Sequence, residues 1–409
     1  MLYDFCIIGG GPAGIFSAIN LAKSGKSVIL IEKNSELGIK LLITGKGRCN
    51  ITNSEPDFRE FISKYGNNGK FLFSAFSKFN NSDIVSFFEE NGLKTKNERG
   101  NRIFPATGNA KNVLYILKMN LKKYKVEVLK NSPVLEIVKK ENKIEKVILE
   151  NKKEIFAENF VIATGGKSYP LTGSTGDGYD FAKKLGHKII NPKPALCPII
   201  LKENVKELEG LSLKNVNISI YSENKKLTDS FGEAIFTRDG MSGPIILDMS
   251  ENISTYLDNN LNVKLRIDFK PALDFKKLDE RILRDFEKLN NKDFKNSLDK
   301  LLPQKLIPFI IKKSGIDPDK KVNSVTKEER MGIMHLLKEC EFNISKLNGF
   351  QKAIITSGGV DLKEVDPKNM KSKIIDNLYF AGEVLDINGP TGGYNLQVCW
   401  TTAATVDNK

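Results

Sequence analysis

The chain opens MLYDFCIIGGGPAGIFSAINLAKSGKSVILIEK over residues 1–33, and the reading of this stretch decides the fold. Residues 5–8 are an apolar run that reads as a buried strand. Gly9-Gly10-Gly11-Pro12-Ala13-Gly14 follows, and then Ile15, Ala18, Ile19 and Ala22 recur at helical spacing up to Gly25. Residues 27–31 form a second apolar strand that finishes on Glu32. Strand, glycine turn, helix, strand and acid is the order of a dinucleotide-binding unit. Gly9 permits the tight turn, Gly11 lets the backbone approach a pyrophosphate, and Gly14 lets helix and strand close on one another. The bare amides at the helix start favour negative charge. Glu32 is placed to accept hydrogen bonds from a ribose diol, and it would repel a 2′-phosphate.

The composition bounds the rest. At 409 residues, 40% hydrophobic and 28% charged, the chain suits a soluble globular protein of two or three domains. No apolar run reaches the ~20 residues that span a bilayer. The N-terminus lacks the basic region of a signal peptide, so the expected location is cytoplasmic, with no membrane partner. Cys6, Cys49, Cys197, Cys340 and Cys399 are scattered and form no CxxC pair, which argues against a disulfide framework and against a metal site. The net charge of +13 raises nucleic acid as a partner. Its lysine pairs, such as Lys122-Lys123 and Lys225-Lys226, are dispersed and carry little aromatic interleaving. They read as solvated surface, and no nucleic-acid partner is expected. The sequence leaves the oligomeric state open.

Beyond Glu32, residues 33–53 are rich in Gly, Lys, Arg, Thr and Asn without a sustained period. Within them Thr44-Gly45-Lys46-Gly47-Arg48-Cys49-Asn50 offers amides, two cations and a hydroxyl, suited to a pyrophosphate and to the polar edge of a flavin. Residues 57–91 read as helices whose phenylalanines, Phe71, Phe73, Phe76 and Phe79 among them, face a core. A hairpin is expected over 93–104 and an Asn-capped helix over 109–123. Four short strands at 125–129, 133–139, 144–149 and 154–157 then read as a β-meander, followed by a separate buried strand at 160–163 ending on Thr164-Gly165-Gly166. A glycine loop leads to a helix over 176–185, and Asn191-Pro192-Lys193-Pro194 reads as a hinge. Alternating segments between 195 and 269 suggest a small antiparallel barrel, and 275–289 and 293–338 are helical. After 350 buried strands return at 353–356 and 378–381, and Gly392-Gly393-Tyr394-Asn395-Leu396 opens a last helix. The expected class is α/β. Its Rossmann-like nucleotide domain comes from both chain ends, 1–192 and 350–409; a β-barrel substrate domain (193–270 and 339–349) and a small helical domain (271–338) are inserted.

Several stretches match one family in order. GGGPAG with Glu32, TGKGRCNITN, ATGGKSYPLTGSTGDGY, GHKIINPKPALCPI, FGEAIFTRDGMSGPIIL, TSGGVDLKEVDPKNM and LYFAGEVLDINGPTGGYNLQ together resemble the aminoacetone oxidase / BaiN (YhiN-like) family of bacterial NAD(P)/FAD-dependent oxidoreductases. The resemblance runs from Tyr3 to Gln397 and implies a flavoprotein of the two-dinucleotide-binding type with FAD as cofactor. Carried onto matching residues, it implies that Gly9, Gly11, Pro12, Ala13 and Gly14 hold the pyrophosphate, and Glu32 with Lys33 the adenosine ribose. Lys40 and the loop of Thr44, Gly45, Gly47, Arg48, Cys49 and Asn50 would run under the ribityl chain and the ring system. Val134 would meet the adenine, with Thr164, Gly165 and Gly166 closing that end. Gly382-Glu383 matches the third flavin motif, where many related flavoproteins carry Asp. Gly392, Gly393, Tyr394, Asn395 and Leu396 would aim helix amides at the N1–C2=O edge of the flavin.

A flavin carries hydride chemistry itself, and the protein supplies position and charge. Arg48 is a candidate for neutralising reduced flavin or binding a carboxylate or carbonyl, against an equally good reading as a phosphate or structural contact. Cys49 is a candidate nucleophile, but with no nearby His it reads better as a packing or flavin contact. Tyr169 and Tyr394 flank cofactor motifs and are candidate proton donors, whereas His187 and His335 read as structural. No second glycine-turn unit with its strand and acid is present, so the redox partner is expected to be either NADH or NADPH as a transient electron donor, or oxygen. The expected function is FAD-dependent hydride transfer to or from a small or hydrophobic carbonyl, enone (bile-acid-like) or amine substrate, as reductase or amine oxidase. A flavin-dependent RNA-modifying enzyme and a non-enzymatic flavin-binding redox module are the alternatives.

Overall fold

The computed structural model describes residues 2–408. Chain ends 1 and 409, which the expected nucleotide domain includes, lie outside the described residues. The chain divides into two units, Met1–Ala195 with Phe350–Lys409, and Leu196–Gly349.

The first unit is built on a sheet whose central strand, Leu2–Ile8, is buried from Phe5 onward. It pairs in parallel with Val28–Ile31 on one side and with Glu154–Ile162 on the other. A strand buried on both faces needs continuous apolar sequence, which Phe5-Cys6-Ile7-Ile8 and Val28-Ile29-Leu30-Ile31 supply. The helix Pro12–Lys23 crosses between them and buries Ile15, Phe16, Ala18 and Ile19 against the sheet. Phe16 meets Phe87 and Trp400 edge-on at 5.0 and 5.6 Å, which joins three helices at one aromatic cluster.

Two elements differ from what the sequence predicts. Glu127–Leu129 does not open the meander; it pairs in parallel with Val28–Ile31 at the edge of the sheet. The segments expected as two strands at 154–157 and 160–163 are one strand, Glu154–Ile162. Its first half runs antiparallel to Lys143–Leu149 and its last half parallel to Leu378–Phe380, so its burial pattern changes midway from alternating to continuous. The change of neighbours, not a break in the chain, produces the change of period.

The stretch expected as a hinge also differs. Residues 191–194 lie inside the strand Ile189–Ala195, which pairs antiparallel with Ile355–Val360. The register shifts between Ile190 and Lys193, and that irregularity accommodates Pro192, which has no N–H for a ladder. Of the phenylalanines expected in the core, Phe76 is 2% exposed but Phe73 is 42% exposed.

The second unit contains a closed barrel of Ile199–Leu201, Gly240–Ser242, Lys225–Phe236, Ser212–Ser222, Val263–Asp268 and Cys340–Leu347 in that spatial order. The helices Phe275–Lys288, Ile307–Ser314 and Lys327–Lys338 bury Leu278, Ile310 and Leu337 in the same cluster as the barrel residues Ile218, Leu265 and Phe342. The segment expected to stand apart as a helical domain therefore shares the barrel's core. No described helix is long and apolar enough to cross a membrane.

Candidate active site

A groove enclosing about 1290 Å³ of empty space, its mouth included, runs over the first unit from the glycine turn. Its floor is made by close backbone packing. A Cβ on Gly14 would sit 1.8 Å from the Gly9 carbonyl oxygen, and one on Gly9 would sit 2.5 Å from that of Ala163. Gly9 also has φ +112, a conformation that favours glycine. Gly11 differs, because a Cβ there would meet nothing within 4 Å. Its backbone borders open space at the start of the helix.

Two helices begin at this groove, and neither start carries a side-chain cap. Pro12–Lys23 starts after Gly11, and Tyr394–Thr405 starts after Gly393. Pro12 and Ala13 of the first, and Asn395 and Leu396 of the second, line the space. Gly382, with φ +80, lets the intervening turn close on the first helix; a Cβ on it would be 2.6 Å from that of Ala13. Two uncapped helix starts at one groove put orphan amides and positive dipole ends where an anionic ligand would lie.

The carboxylates around the groove are already held. Glu32 is 8% exposed. Its Oε2 accepts from the Gly10 amide and its Oε1 from the Asn34 amide, both at 2.7 Å. Each oxygen keeps a lone pair for a further donor. Glu383 accepts from Lys40 Nζ at 2.8 Å through one oxygen and from the Thr356 amide at 2.8 Å and Ser168 Oγ at 3.1 Å through the other. Lys40 also donates to Ser168 Oγ at 2.6 Å. The end of the Thr164-Gly165-Gly166 turn is tied to this network, since the Lys167 and Ser168 amides donate to Thr356 Oγ1 at 2.8 and 3.1 Å. Lys33 is paired with Asp177 at 2.7 Å.

Among the residues expected from sequence, Gly9, Gly11, Pro12, Ala13, Glu32, Lys33, Lys40, Thr44, Val134, Thr164, Gly165, Glu383, Asn395 and Leu396 line this groove together. Gly14, Gly166, Gly382, Gly392 and Gly393 do not border the groove; an added Cβ would meet backbone at Gly14 and Gly393, and side chains at Gly166, Gly382 and Gly392. The loop after Thr44 is placed elsewhere: Gly45, Gly47, Arg48, Cys49 and Asn50 do not border the groove. Arg48 reaches Glu98 at 3.0 Å and stacks on the Phe104 ring at 4.1 Å. Cys49 is fully buried, and that burial pushes its thiol up to about 12, which leaves no thiolate for nucleophilic work. The Tyr169 amide donates to the Phe350 carbonyl at 3.0 Å in a left-handed turn, away from the groove lining. The Tyr394 ring packs on Phe61 at 4.9 Å, and burial raises its phenol.

Sequence reasoning passed over Asn34, Ser132, Asp177, Ile354 and Cys399, all of which line the groove. Cys399 alone carried a signal: it lies one helical turn beyond Asn395, on the same face. The Ile354 and Asp177 positions come from distant chain segments that no local pattern joins.

Fold and groove define a Rossmann-like FAD-binding oxidoreductase, and the residues present fit FAD. Residues 3–409 match the family model described as HI0933-like protein Rossmann domain, and the chain belongs to this family of FAD-dependent oxidoreductases. It is 32% identical over 97% of its length to a ribosomal RNA dihydrouridine synthase of Haemophilus influenzae, covering 96% of that protein. It is 31% identical, with the same coverages of 97% and 96%, to a 3-dehydro-bile acid delta(4,6)-reductase of Clostridium scindens. Among solved structures, the fold is similar to a 3-ketosteroid delta1-dehydrogenase from Sterolibacterium denitrificans. That match has a TM-score of 0.54 at 12% identity over 98% of both chains.

Proposed function

We propose that this enzyme reduces a carbon–carbon double bond conjugated to a carbonyl. The observation that carries the proposal is the pair of full-length relatives at 32% and 31% identity. By name, one yields dihydrouridine and the other removes delta(4,6) unsaturation, and in both a hydride and a proton add across such a bond. Bound FAD supplies the hydride-transfer chemistry.

The chain's own residues supply binding and orientation. The amides at the start of Pro12–Lys23, with Gly11 leaving the approach open, would hold the pyrophosphate. Glu32 would take the adenosine ribose on its remaining lone pairs. Ser132 and Val134 would flank the adenine. The Lys40–Glu383–Ser168 network would fix the middle of the cofactor, and the start of Tyr394–Thr405 would face the ring. NADH or NADPH is the proposed electron donor.

The leading substrate class is a small or hydrophobic enone. A second reading, uridine in RNA, is favoured by the net charge of +13 and by the name of the Haemophilus relative. One assay separates them. Holoprotein reduced anaerobically with NADPH is mixed either with a 3-oxo-4,6-diene steroid acid or with a ribosomal RNA transcript, and flavin reoxidation is followed. Reoxidation by the steroid alone supports the first reading, and reoxidation by RNA with a steep salt dependence supports the second. Reoxidation by neither, but rapidly by oxygen with an amine as reductant, would overturn both.

A further inference from the structure

The two-residue strand Thr52–Asn53 has no role in the site described so far, yet the second helix start rests on it. Both side chains are buried, at 0% and 3% exposure. Gly393 is pressed against this strand so closely that a Cβ on it would lie 2.4 Å from the Thr52 carbonyl carbon and oxygen. The Thr52 hydroxyl donates to Gln397 Oε1 at 2.6 Å, one turn into the helix Tyr394–Thr405. Asn53 donates through Nδ2 to the carbonyls of Gly392 at 3.1 Å and Gly100 at 3.0 Å, while its Oδ1 accepts from the Glu55 amide at 3.0 Å.

The bond to Gly392 matters because of the residues on either side of that peptide. Gly392 and Gly393 have φ of +119 and +104, so neither residue's sterics fix the plane between them. A peptide is planar, with its C=O and N–H on opposite sides. Holding the Gly392 carbonyl therefore fixes where the Gly393 N–H points. We propose that Asn53 is a positioning residue for the flavin: it locks the Gly392–Gly393 peptide, aims the uncapped start of Tyr394–Thr405 into the groove, and so sets the reduction potential of the bound cofactor. The inference rests on the reading that this helix start faces the flavin ring.

The test is the midpoint potential of the holoprotein, measured by dye equilibration. In Asn53→Ala the freed peptide presents less positive dipole to the reduced flavin. The ratio of reduced to oxidised FAD affinity is expected to fall about tenfold, a shift of ~30 mV to more negative potential for two electrons. Asn81→Ala is the control, because the Asn81 amide supports the same corner through the Asn53 and Glu55 carbonyls at 2.8 and 2.9 Å without touching Gly392. It should lower the melting temperature and leave the potential unmoved. An unchanged potential in Asn53→Ala, or an equal shift in Asn81→Ala, overturns the proposal. Gly393→Ala separates the two layers. If it shifts the potential while Asn53→Ala does not, only the positioning role fails; if neither shifts it, the helix start does not face the ring. Should Asn53→Ala not fold, Asn53→Leu, which is close to Asn in volume and has no donor, is read in the same way.

Discussion

At the scale of single residues, Glu32 is the acid whose place in the sequence carried the most meaning. Its carboxylate receives two backbone amides at 2.7 Å and stays at the groove. Glu32→Ala removes both acceptors and the proposed ribose contact. FAD affinity should fall by about 1.5–3 kcal/mol, roughly ten- to a hundredfold in Kd. A fluorescence titration of apoprotein checks this, and unchanged affinity would rule out the ribose contact. Cys49 gives the opposite expectation. Its thiol is buried and pushed up to about 12, so alkylating reagents should leave it unmodified in native protein, and Cys49→Ala should retain turnover. Peptide mapping after labelling reads the first and steady-state kinetics the second. The glycine turn and Glu32 were legible because each residue type there answers a local backbone demand. The partners of Arg48 were not, since Glu98 and Phe104 lie on a hairpin some fifty residues away and the pairing depends on tertiary folding.

At the scale of elements, the first helix and its strand depend on Gly14, where an added Cβ would collide with backbone at 1.8 Å. Gly14→Ala should cost at least about 1–3 kcal/mol by overpacking, because backbone yields less readily than a side chain. Chemical denaturation measures it. His187 ties the helix Asp177–Lys184 region to a later segment. Its side chain is buried against Phe380, with Glu364 at 3.1 Å and Ser372 at 2.9 Å. Burial depresses its pKa below the ordinary 6.5, and this outweighs the pull of Glu364 in the other direction. Folded protein therefore binds the proton less readily than unfolded chain does. The stability from neutral His187 is complete above pH ~6.5 and is lost as pH falls through the lower folded pKa. Melting temperature followed from pH 7.5 to 5 should drop, and His187→Gln should flatten that drop. Elements were legible from sequence where one environment spans the whole element, as in Leu2–Ile8. They were misread where the environment changes along the strand, as in Glu154–Ile162, or where a bulge houses proline, as in Ile189–Ala195.

At the scale of the whole molecule, the topology reserves the cofactor groove for one unit. The groove lining comes entirely from residues of Met1–Ala195 and Phe350–Lys409, while Leu196–Gly349 buries its own cluster around the barrel. The sequence carries its two glycine-rich stretches near its two ends, and both fall in the first unit. It concealed the shared core of barrel and helices, because a periodic apolar face shows that a helix is buried without showing against what. A ligand that binds only the folded first unit adds RT ln(1 + [L]/Kd) to that unit's stability, about 2.7 kcal/mol at a hundredfold excess over Kd. Scanning calorimetry of apoprotein with increasing FAD should therefore raise one transition and leave another in place. The moving transition should disappear from the concentration series in Gly14→Ala protein, whose groove floor is disrupted, while the stationary one persists. A single transition that rises as a whole would mean instead that both clusters melt together, and that cofactor binding is felt by the barrel as strongly as by the sheet that holds the groove.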